Sequence, residues 1–249
     1  MNDEKDIQTV VVIGAGIMGR GIAHVSAMSA TLDRLTLETD MTQAAKTADV
    51  VIEAVPESIQ LKLDVFNRLD RICPPHTILA SNTSALSITE MAAATKRPSQ
   101  FIGMHFFNPV HKMRLVELIR GLETSDETLK VAEFLARTMG KETVEVKESP
   151  GFVTTRINAL VGNEAFYMLQ EGIASAQDID KAIKLGLNYP MGPFEMIDLV
   201  GLDTRLSILN FLYERLGEKY RPCPLMVQYV KAGRLGKKVG KGVYEYPEG

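Results

Sequence analysis

The sequence predicts an α/β fold in which a mostly parallel sheet is followed by an all-helical region. Up to residue 147, apolar runs of strand length alternate with helical patterns, and this alternation is typical of a doubly wound sheet. From Phe152 onward the patterns are helical. The string Ser-Pro-Gly at 149–151 separates the two regions, so we predict a first domain at residues 1–148 and a second at residues 149–249.

A glycine-rich turn, GAGIMG, directly follows the first predicted strand at residues 9–13 and runs into a helical pattern. In this context a G-x-G-x-x-G pattern predicts a Rossmann-like dinucleotide site; the alternative is a flexible glycine loop. Gly14 permits the sharp turn, Gly16 lets a pyrophosphate approach the backbone, and Gly19 allows close helix packing. Free N–H groups at the helix start face the anion. The residues predicted to hold the cofactor here are Gly14, Gly16, Ile17, Met18 and Gly19.

The remaining elements follow from hydrophobic periodicity and from helix start and stop signals. Further strands are predicted at residues 34–39, 49–55, 76–81, 101–105, 115–119 and 142–147. Helices are predicted in the first domain at about 18–29, 41–47, 57–71, 87–95 and 124–139, and in the second at about 152–172, 175–185, 194–216 and 223–232. Capping motifs at Thr124 and Ser175 open two of these helices.

The composition argues against several classes of protein. The chain has 249 residues, 45% of them hydrophobic, and a formal net charge of −3, which is not the basic balance typical of nucleic-acid binding. No apolar run reaches the roughly 18 residues of a membrane span, and the polar N-terminus is unlike a secretory signal. Cys73 and Cys223 show no metal-ligand spacing. We therefore expect a cytoplasmic protein with no metal, no nucleic-acid partner and no membrane partner.

A histidine at the end of one predicted strand and a glutamate inside the next form a candidate acid/base pair. His105 ends the strand that precedes Asn108-Pro109, and Glu117 lies in the apolar run LVELI. Ligands of open α/β sheets bind at the carboxyl ends of strands, where a histidine suits proton transfer near neutral pH. A carboxylate in an apolar strand is costly without a partner. By residue type alone the alternative, a core histidine with a buried structural acid, remains open.

Two further polar groups follow predicted strands. The string SNTS at 81–84 includes Asn82 and Ser84, which suit a substrate oxygen or a cofactor ribose. The alternative is ordinary turn and cap chemistry ahead of a helix. Glu57 and Lys62 lie just past the strand DVVIEAV, and their alternative is a pair of solvated charges at the start of a helix.

Taken together, these strings resemble the 3-hydroxyacyl-CoA dehydrogenase family, especially its short-chain members, over nearly the whole chain. The strings HFFNP and YPMGPFE–DLVGLD are far more diagnostic than the glycine motif. In chain order the matching strings are GAGIMGRGIAH, DVVIEAVPE, ASNTSALSIT, GMHFFNPV, LVELI, SPGFV and LGLNYPMGPFEMIDLVGLD.

The resemblance implies a role for each candidate residue. His105 is implied as the acid/base that takes the proton of the 3-hydroxyl group, with Glu117 as its orienting carboxylate. Ser84 is implied to hydrogen-bond the substrate oxygen. Asn108 is implied to lie against the acyl-CoA and the catalytic histidine. The implied cofactor contacts beyond the glycine turn are Glu57, Lys62, Asn82 and Lys238. The resemblance also implies that the helical domain forms a homodimer and closes over the active site.

The chain departs from the family pattern at Thr155, in the string GFVTTR. The family typically carries an active-site asparagine at this position. Threonine keeps a donor and an acceptor but has a shorter reach, so we retain Thr155 as a catalytic candidate with altered substrate polarisation.

A second departure concerns the strand that should follow the glycine helix. A Rossmann unit places an acid about 20 residues past its glycines to bind the adenosine ribose. By spacing alone this acid is Glu38, nineteen residues after Gly19, at the end of the predicted strand 34–39. By resemblance, RLTLETD matches a later strand, and the true second strand, its acid and a helical hairpin are absent between Ala30 and Thr31. We favour the second interpretation because the block from Arg34 through Glu57 matches as one unit.

The resulting hypothesis is an NAD-dependent oxidoreductase that converts (S)-3-hydroxyacyl-CoA, most simply 3-hydroxybutyryl-CoA, to 3-oxoacyl-CoA or runs the reverse reduction. NADP as the cofactor remains open, because the acid that would distinguish NAD from NADP is the ribose-binding acid whose identity is undecided above. Two alternatives are a dehydrogenase of free 3-hydroxy acids and a binding or structural relative that has lost turnover.

Overall fold

The computed structural model describes residues 7–27 and 35–246. The chain divides into two compact units, Met1–Phe152 and Val153–Gly249. The division falls a few residues after the boundary expected at 148/149. Within the described residues, no helix is both long enough and apolar enough to cross a membrane.

The first unit is built on a six-stranded sheet whose order is the order of the chain, β1-β2-β3-β4-β5-β6. All neighbouring strands pair in parallel except β4 and β5, which are antiparallel. The predicted mostly parallel sheet is therefore confirmed. The strands are β1 (Val10–Ile13), β2 (Val50–Glu53), β3 (Ile78–Ser81), β4 (Phe101–Phe106), β5 (Leu115–Arg120) and β6 (Glu142–Lys147).

Helices follow β1, β2, β3 and β5 in the first unit and form most of the regular structure described in the second. In the first unit they are α1 (Ile17–Ala27), α2 (Met41–Ala45), α3 (Ile59–Ile72), α4 (Ile88–Ala93) and α5 (Asp126–Thr138). In the second unit they are α6 (Thr154–Gln170), α7 (Ala176–Gly186), α8 (Pro193–Val200), α9 (Leu202–Leu216) and α10 (Pro224–Lys231). The helical pattern at 194–216 is thus two helices, separated at Gly201, whose φ is 106°.

The apolar strands read as continuous runs because both faces of the sheet are covered. Along β2, Val50 and Ile52 point into one cluster, which also contains residues of α1 and α5. Val51 points into a second cluster with residues of α3 and α4. The central strands β2, β3 and β4 are buried along their whole length, whereas the edge strand β6 is largely exposed.

The predicted strand at residues 34–39 is wrong for the residues that the structure describes. Residues 35–39 have no strand structure, and Leu37 is 99% exposed. Instead, β1 pairs directly with β2, and within the described ranges β1 has a partner strand on one side only. An alternating segment becomes a strand only where a neighbour accepts its hydrogen bonds. Arg34 and the junction at Ala30 and Thr31 lie outside the described residues.

The two predicted capping motifs have different outcomes. Ser175 caps α7 and accepts a hydrogen bond from the Asp178 N–H, as predicted. The motif at Thr124 is wrong by one residue, because Ser125 caps α5. The Thr124 hydroxyl instead donates to the carbonyl oxygen of Phe101 at 2.6 Å, so it ties the start of α5 to β4.

Two buried aspartates organise the second unit. Asp180 of α7 accepts hydrogen bonds from the N–H groups of Phe194 and Glu195 at the start of α8. Burial raises the pKa of Asp180 above its ordinary value. Asp198 of α8 accepts the N–H groups of Val243 and Tyr244 in the C-terminal segment. Much of the diagnostic string YPMGPFE–DLVGLD therefore has a structural role.

Candidate active site

The candidate residues of the first unit gather at one edge of the sheet. Strands β1 to β4 are parallel, so their carboxyl ends meet there. Glu53 at the end of β2 is the register partner of Ile13 in β1 and of Ser81 in β3. The glycine turn, the SNTS string and His105 all follow or end these strands, which is the position expected of a ligand site in an open α/β sheet.

The glycine turn fits the pyrophosphate of a dinucleotide. A Cβ atom on Gly14 would lie 2.6 Å from the carbonyl oxygen of Ala54, and one on Gly19 would overlap the carbonyl oxygen of Gly14. A Cβ on Gly16 would meet no atom within 4 Å. Gly14 and Gly19 therefore have no room for a side chain, while Gly16 borders open space beside the start of α1. Ile17, the first residue of α1, is 67% exposed, and Met18 follows it in the first turn.

His105 and Glu117 face each other across the antiparallel pair β4–β5, where they are direct register partners. His105 Nδ1 lies 2.7 Å from Glu117 Oε2, and Glu117 is fully buried. With the Glu117 carboxylate ionised, Nδ1 carries the proton and donates the hydrogen bond to Glu117, so Nε2 has a free lone pair. Nε2 makes no hydrogen bond to any described residue. The ring packs against Phe107, with centroids 4.4 Å apart, which fixes its orientation.

Asn82 follows β3, and Asn108 lies in the turn after β4. Asn82 Oδ1 accepts the N–H of Phe106 at 2.9 Å, so this side chain links the ends of β3 and β4. Asn108 is exposed in the turn that follows β4, and its side chain makes no hydrogen bond within the described ranges. Its amide is therefore available to a ligand.

Ser84 is held by Glu57. Glu57 Oε1 accepts hydrogen bonds from the Ser84 N–H at 2.9 Å, the Ser84 hydroxyl at 3.3 Å and the Thr83 hydroxyl at 2.5 Å. The acid thus fixes the backbone after β3 and the position of Ser84. The cap of α4 is Ser87, while Thr83 shows the turn chemistry of the alternative interpretation, because its hydroxyl oxygen accepts the N–H groups of Ala85 and Leu86.

Lys62 is buried. Its Nζ atom lies 2.7 Å from Glu53 Oε1 and 3.3 Å from Glu57 Oε2, and its side chain is 1% exposed. The alternative of a solvated charge is therefore wrong for Lys62, although Glu57 remains 40% exposed. Glu53 also accepts the Ser81 hydroxyl at 2.7 Å, so the two acids and the lysine join the ends of β2 and β3 to the first turn of α3.

Thr155 and Lys238 lie in the second unit. Thr155 is in the first turn of α6 and is partly buried. Lys238 Nζ contacts both carboxylate oxygens of Asp203 at 2.6 Å. Although burial alone would raise it, the pKa of Asp203 is lowered by this contact and by backbone hydrogen bonds. Lys238 thus already has an anionic partner within its own unit.

Sequence reasoning missed Glu53 and Lys141. Glu53 carries the same signal that singled out Glu117, an acid inside an apolar strand, and is fully buried. Lys141 donates to the carbonyl oxygens of Val110 at 2.6 Å and Met113 at 2.9 Å, so it holds the turn that contains Asn108. Burial lowers the pKa of Lys141. Its sequence context, a charge between a helix and a strand, gave no sign of this contact.

A dinucleotide-type turn and a histidine–carboxylate pair at one sheet edge are the parts of a nucleotide-dependent oxidoreductase. Two family models match the chain. The model for the 3-hydroxyacyl-CoA dehydrogenase NAD binding domain matches residues 26–149, and the model for the C-terminal domain of the same family matches residues 151–246. The chain therefore belongs to the 3-hydroxyacyl-CoA dehydrogenase family. The glycine turn lies before the matched range.

Relatives match along most of their length. A probable 3-hydroxybutyryl-CoA dehydrogenase of Bacillus subtilis is 45% identical over 284 alignment positions, covering 98% of this chain and 99% of the relative. The crystal structure of (S)-3-hydroxybutyryl-CoA dehydrogenase from Ralstonia eutropha is 42% identical, with a TM-score of 0.90 and coverage of 98% of this chain and 100% of that chain. The structure of a diketoreductase, an enzyme that acts on dicarbonyl compounds, is 29% identical, with a TM-score of 0.81, covering 97% of this chain and 100% of that chain.

Proposed function

We propose that this chain interconverts (S)-3-hydroxyacyl-CoA and 3-oxoacyl-CoA with NAD, and that its substrate is short-chain, as the names of the relatives from Bacillus and Ralstonia suggest. The observation that carries the proposal is the 2.7 Å contact between His105 Nδ1 and Glu117 Oε2. This contact leaves Nε2 without a partner among the described residues, at the same carboxyl edge of the sheet as the glycine turn.

The proposed chemistry divides between the cofactor and the side chains. NAD, when bound, supplies the acceptor for the hydride of C3. His105 Nε2 takes the proton of the 3-hydroxyl group as the carbonyl forms, and Glu117 stabilises the resulting imidazolium and fixes its ring. The Ser84 hydroxyl donates a hydrogen bond to the same substrate oxygen from the end of β3. Asn108 and Thr155 are proposed substrate contacts, and Asn82, Glu57, Lys62 and Lys238 are proposed cofactor contacts.

The test is loss of NADH absorbance with acetoacetyl-CoA. We expect wild-type turnover to fall by about 10²–10⁴ in His105→Gln, since the variant lacks a general acid/base. Glu117→Gln should lower kcat with little change in the KM for acetoacetyl-CoA, because the carboxylate acts through His105. The matched control is His76→Gln, which changes an exposed histidine before β3. Unchanged turnover in His105→Gln would contradict the assignment.

A second candidate function is reduction of small dicarbonyl or 3-oxo acids that carry no CoA. It is favoured by the likeness to the diketoreductase. The same assay with free acetoacetate distinguishes the two: activity on the free acid and none on the thioester supports the second candidate, and the reverse supports the first.

We also propose that the chain lacks a segment near Ala30 and Thr31. The alignment with the Bacillus relative has 284 positions, while this chain has 249 residues, so at least 35 positions of that relative have no counterpart here. A missing strand with its ribose-binding acid is expected to weaken the adenosine half of the NAD site and leaves NADP open.

Grafting the unmatched Bacillus segment at this junction tests the deletion. We expect the graft to tighten NADH binding at least about tenfold, the effect of one charged hydrogen bond, while leaving kcat nearly unchanged. Fluorescence titration of NADH measures it. A graft that folds and binds NADH no better than wild type would contradict the proposal.

We further propose a homodimer formed through the helical unit. This unit exposes several large apolar side chains, namely Ile157, Leu185, Leu187 and Leu199, each more than half exposed. Isolated exposed apolar residues are common; we infer that these four contribute to one patch, since a contiguous apolar patch is typical of an interface.

The proposed compartment is the cytoplasm. Cys73 and Cys223 are free and buried, which suits a reducing environment. Subcellular fractionation in the native host tests this proposal.

A further inference from the structure

Glu53 is a fully buried acid at the carboxyl edge of the sheet, and none of the roles above uses it. It is the last residue of β2 and is 0% exposed. Its carboxylate accepts three donors: Lys62 Nζ at 2.7 Å, the Val55 N–H at 2.6 Å and the Ser81 hydroxyl at 2.7 Å. A buried carboxylate is costly unless it is paired and hydrogen-bonded, and here both conditions are met.

The contacts of Glu53 continue to the substrate side of the site. Lys62 bridges the two acids, because its Nζ atom contacts Glu53 Oε1 and also Glu57 Oε2 at 3.3 Å. The other oxygen of Glu57 holds Ser84 by its N–H and hydroxyl groups. Glu53 is therefore connected to Ser84 through one lysine and one further carboxylate.

The charges of these residues determine how Glu57 responds when Glu53 loses its charge. With Glu53 ionised, the Lys62 ammonium is shared between two carboxylates and lies nearer to Glu53. If Glu53 were neutral, the Lys62 ammonium would form its ion pair with Glu57 alone. Glu57 would then move toward Lys62, and its hydrogen bonds to Ser84 would weaken.

We propose that Glu53 is a positioning residue: by holding Lys62 at the end of β2 it leaves Glu57 free to orient Ser84. The kinetic part of this inference rests on the proposed dehydrogenase function, in which Ser84 bonds the reacting oxygen. The structural part does not depend on it.

Hydrogen exchange tests the structural part without any turnover. In Glu53→Gln we expect the Ser84 amide to exchange at least about tenfold faster than in wild type. The matched control, Asp64→Asn, makes the same chemical change at an exposed acid on the same helix as Lys62 and should leave Ser84 exchange unchanged. Faster exchange at Val55 alone, with Ser84 unaffected, would overturn the proposal and leave Glu53 a local structural role.

A kinetic cycle with Ser84→Ala tests the functional part. We expect Glu53→Gln to lower kcat about tenfold in the wild-type background and less than about twofold in Ser84→Ala, because the effect passes through Ser84. An equal loss in both backgrounds would overturn it, since a general structural defect acts in either. A wild-type protein inactive on both acetoacetyl-CoA and acetoacetate would refute the proposed function, while the exchange result would still decide the positioning role.

The double variant Glu53→Gln/Lys62→Met covers the case in which the single variant does not fold. Removing both members of a buried ion pair is far less damaging than leaving one charge unpaired. Because this variant has no lysine to draw Glu57 away from Ser84, we expect Ser84 exchange close to that of wild type, and a rise of about tenfold would overturn the proposal.

Discussion

Gly16 and Gly19 belong to one turn, but they are glycines for different physical reasons. A Cβ on Gly19 would overlap the carbonyl oxygen of Gly14, whereas a Cβ on Gly16 would meet no protein atom within 4 Å. The absence of a side chain at Gly19 is needed by the fold itself. At Gly16 the fold has room for a side chain, and only a bound ligand requires that there be none.

This difference predicts opposite results for two alanine variants. Gly16→Ala should unfold at the same urea concentration as wild type but bind NADH more weakly, because the methyl group occupies the space of the pyrophosphate. Gly19→Ala should lose stability by about 1–3 kcal/mol or more, as overpacked sites do. Urea unfolding and NADH titration measure both quantities. A destabilised Gly16→Ala would show that the open space is not there.

At the scale of residues, the sequence identified the acid in β5 but not the equally buried acid in β2. Glu117 was recognised because His105 offered a partner of known chemistry. The partner of Glu53 is Lys62, nine residues later on a helix, and from the pattern alone that lysine reads as a solvated charge. Which polar residues are buried together depends on the tertiary structure, so it could not be predicted.

At the scale of elements, Asp49 fixes the start of β1. Its carboxylate accepts the N–H groups of Gln8 and Thr9 at 2.8 and 2.9 Å. Burial alone would raise the pKa of Asp49, but these hydrogen bonds and His76 hold it below its ordinary value. Because the folded pKa is lowered, the stabilisation is present above the unfolded pKa of about 3.9 and is lost as the pH falls through the folded pKa.

Asp49→Asn should therefore destabilise the protein by about 1–2 kcal/mol at neutral pH and by much less in acid, where the wild-type carboxyl is protonated as well. Urea unfolding at about pH 7 and at a pH well below the lowered folded pKa of Asp49 measures the two differences. Asp64→Asn, at an exposed position, is the control. An equal loss at both pH values would mean that the ionised carboxylate contributes nothing.

The strands and most helices were predictable because their apolar runs are long and their ends carry clear stop signals, such as Pro74-Pro75 after α3. Residues 35–39 have the alternating pattern of a strand without its structure, because a strand also needs a neighbour to pair with. The break at Gly201 between α8 and α9 was missed because the apolar pattern continues across it.

At the scale of the whole molecule, the exposed apolar residues of the helical unit predict a homodimer. Light scattering should give about twice the 27.5 kDa mass of the chain. Leu199→Glu places a charge at a residue that is 53% exposed and should yield monomers. Leu122→Glu, at an exposed leucine of the sheet unit, should remain dimeric. A monomeric wild-type protein, or a dimeric Leu199→Glu, would argue against this interface.

The antiparallel ladder between β4 and β5 also bears on how this site can change over evolution. His105 and Glu117 are brought together by the register of the ladder, and β3 and β6 hold the two strands from outside. Beyond Phe107, which packs against the His105 ring, the connection at residues 107–114 is not needed to align them. Insertions there would reshape the surface around Asn108 while leaving the proton-transfer pair in place, so new substrates can be accommodated without rebuilding the chemistry.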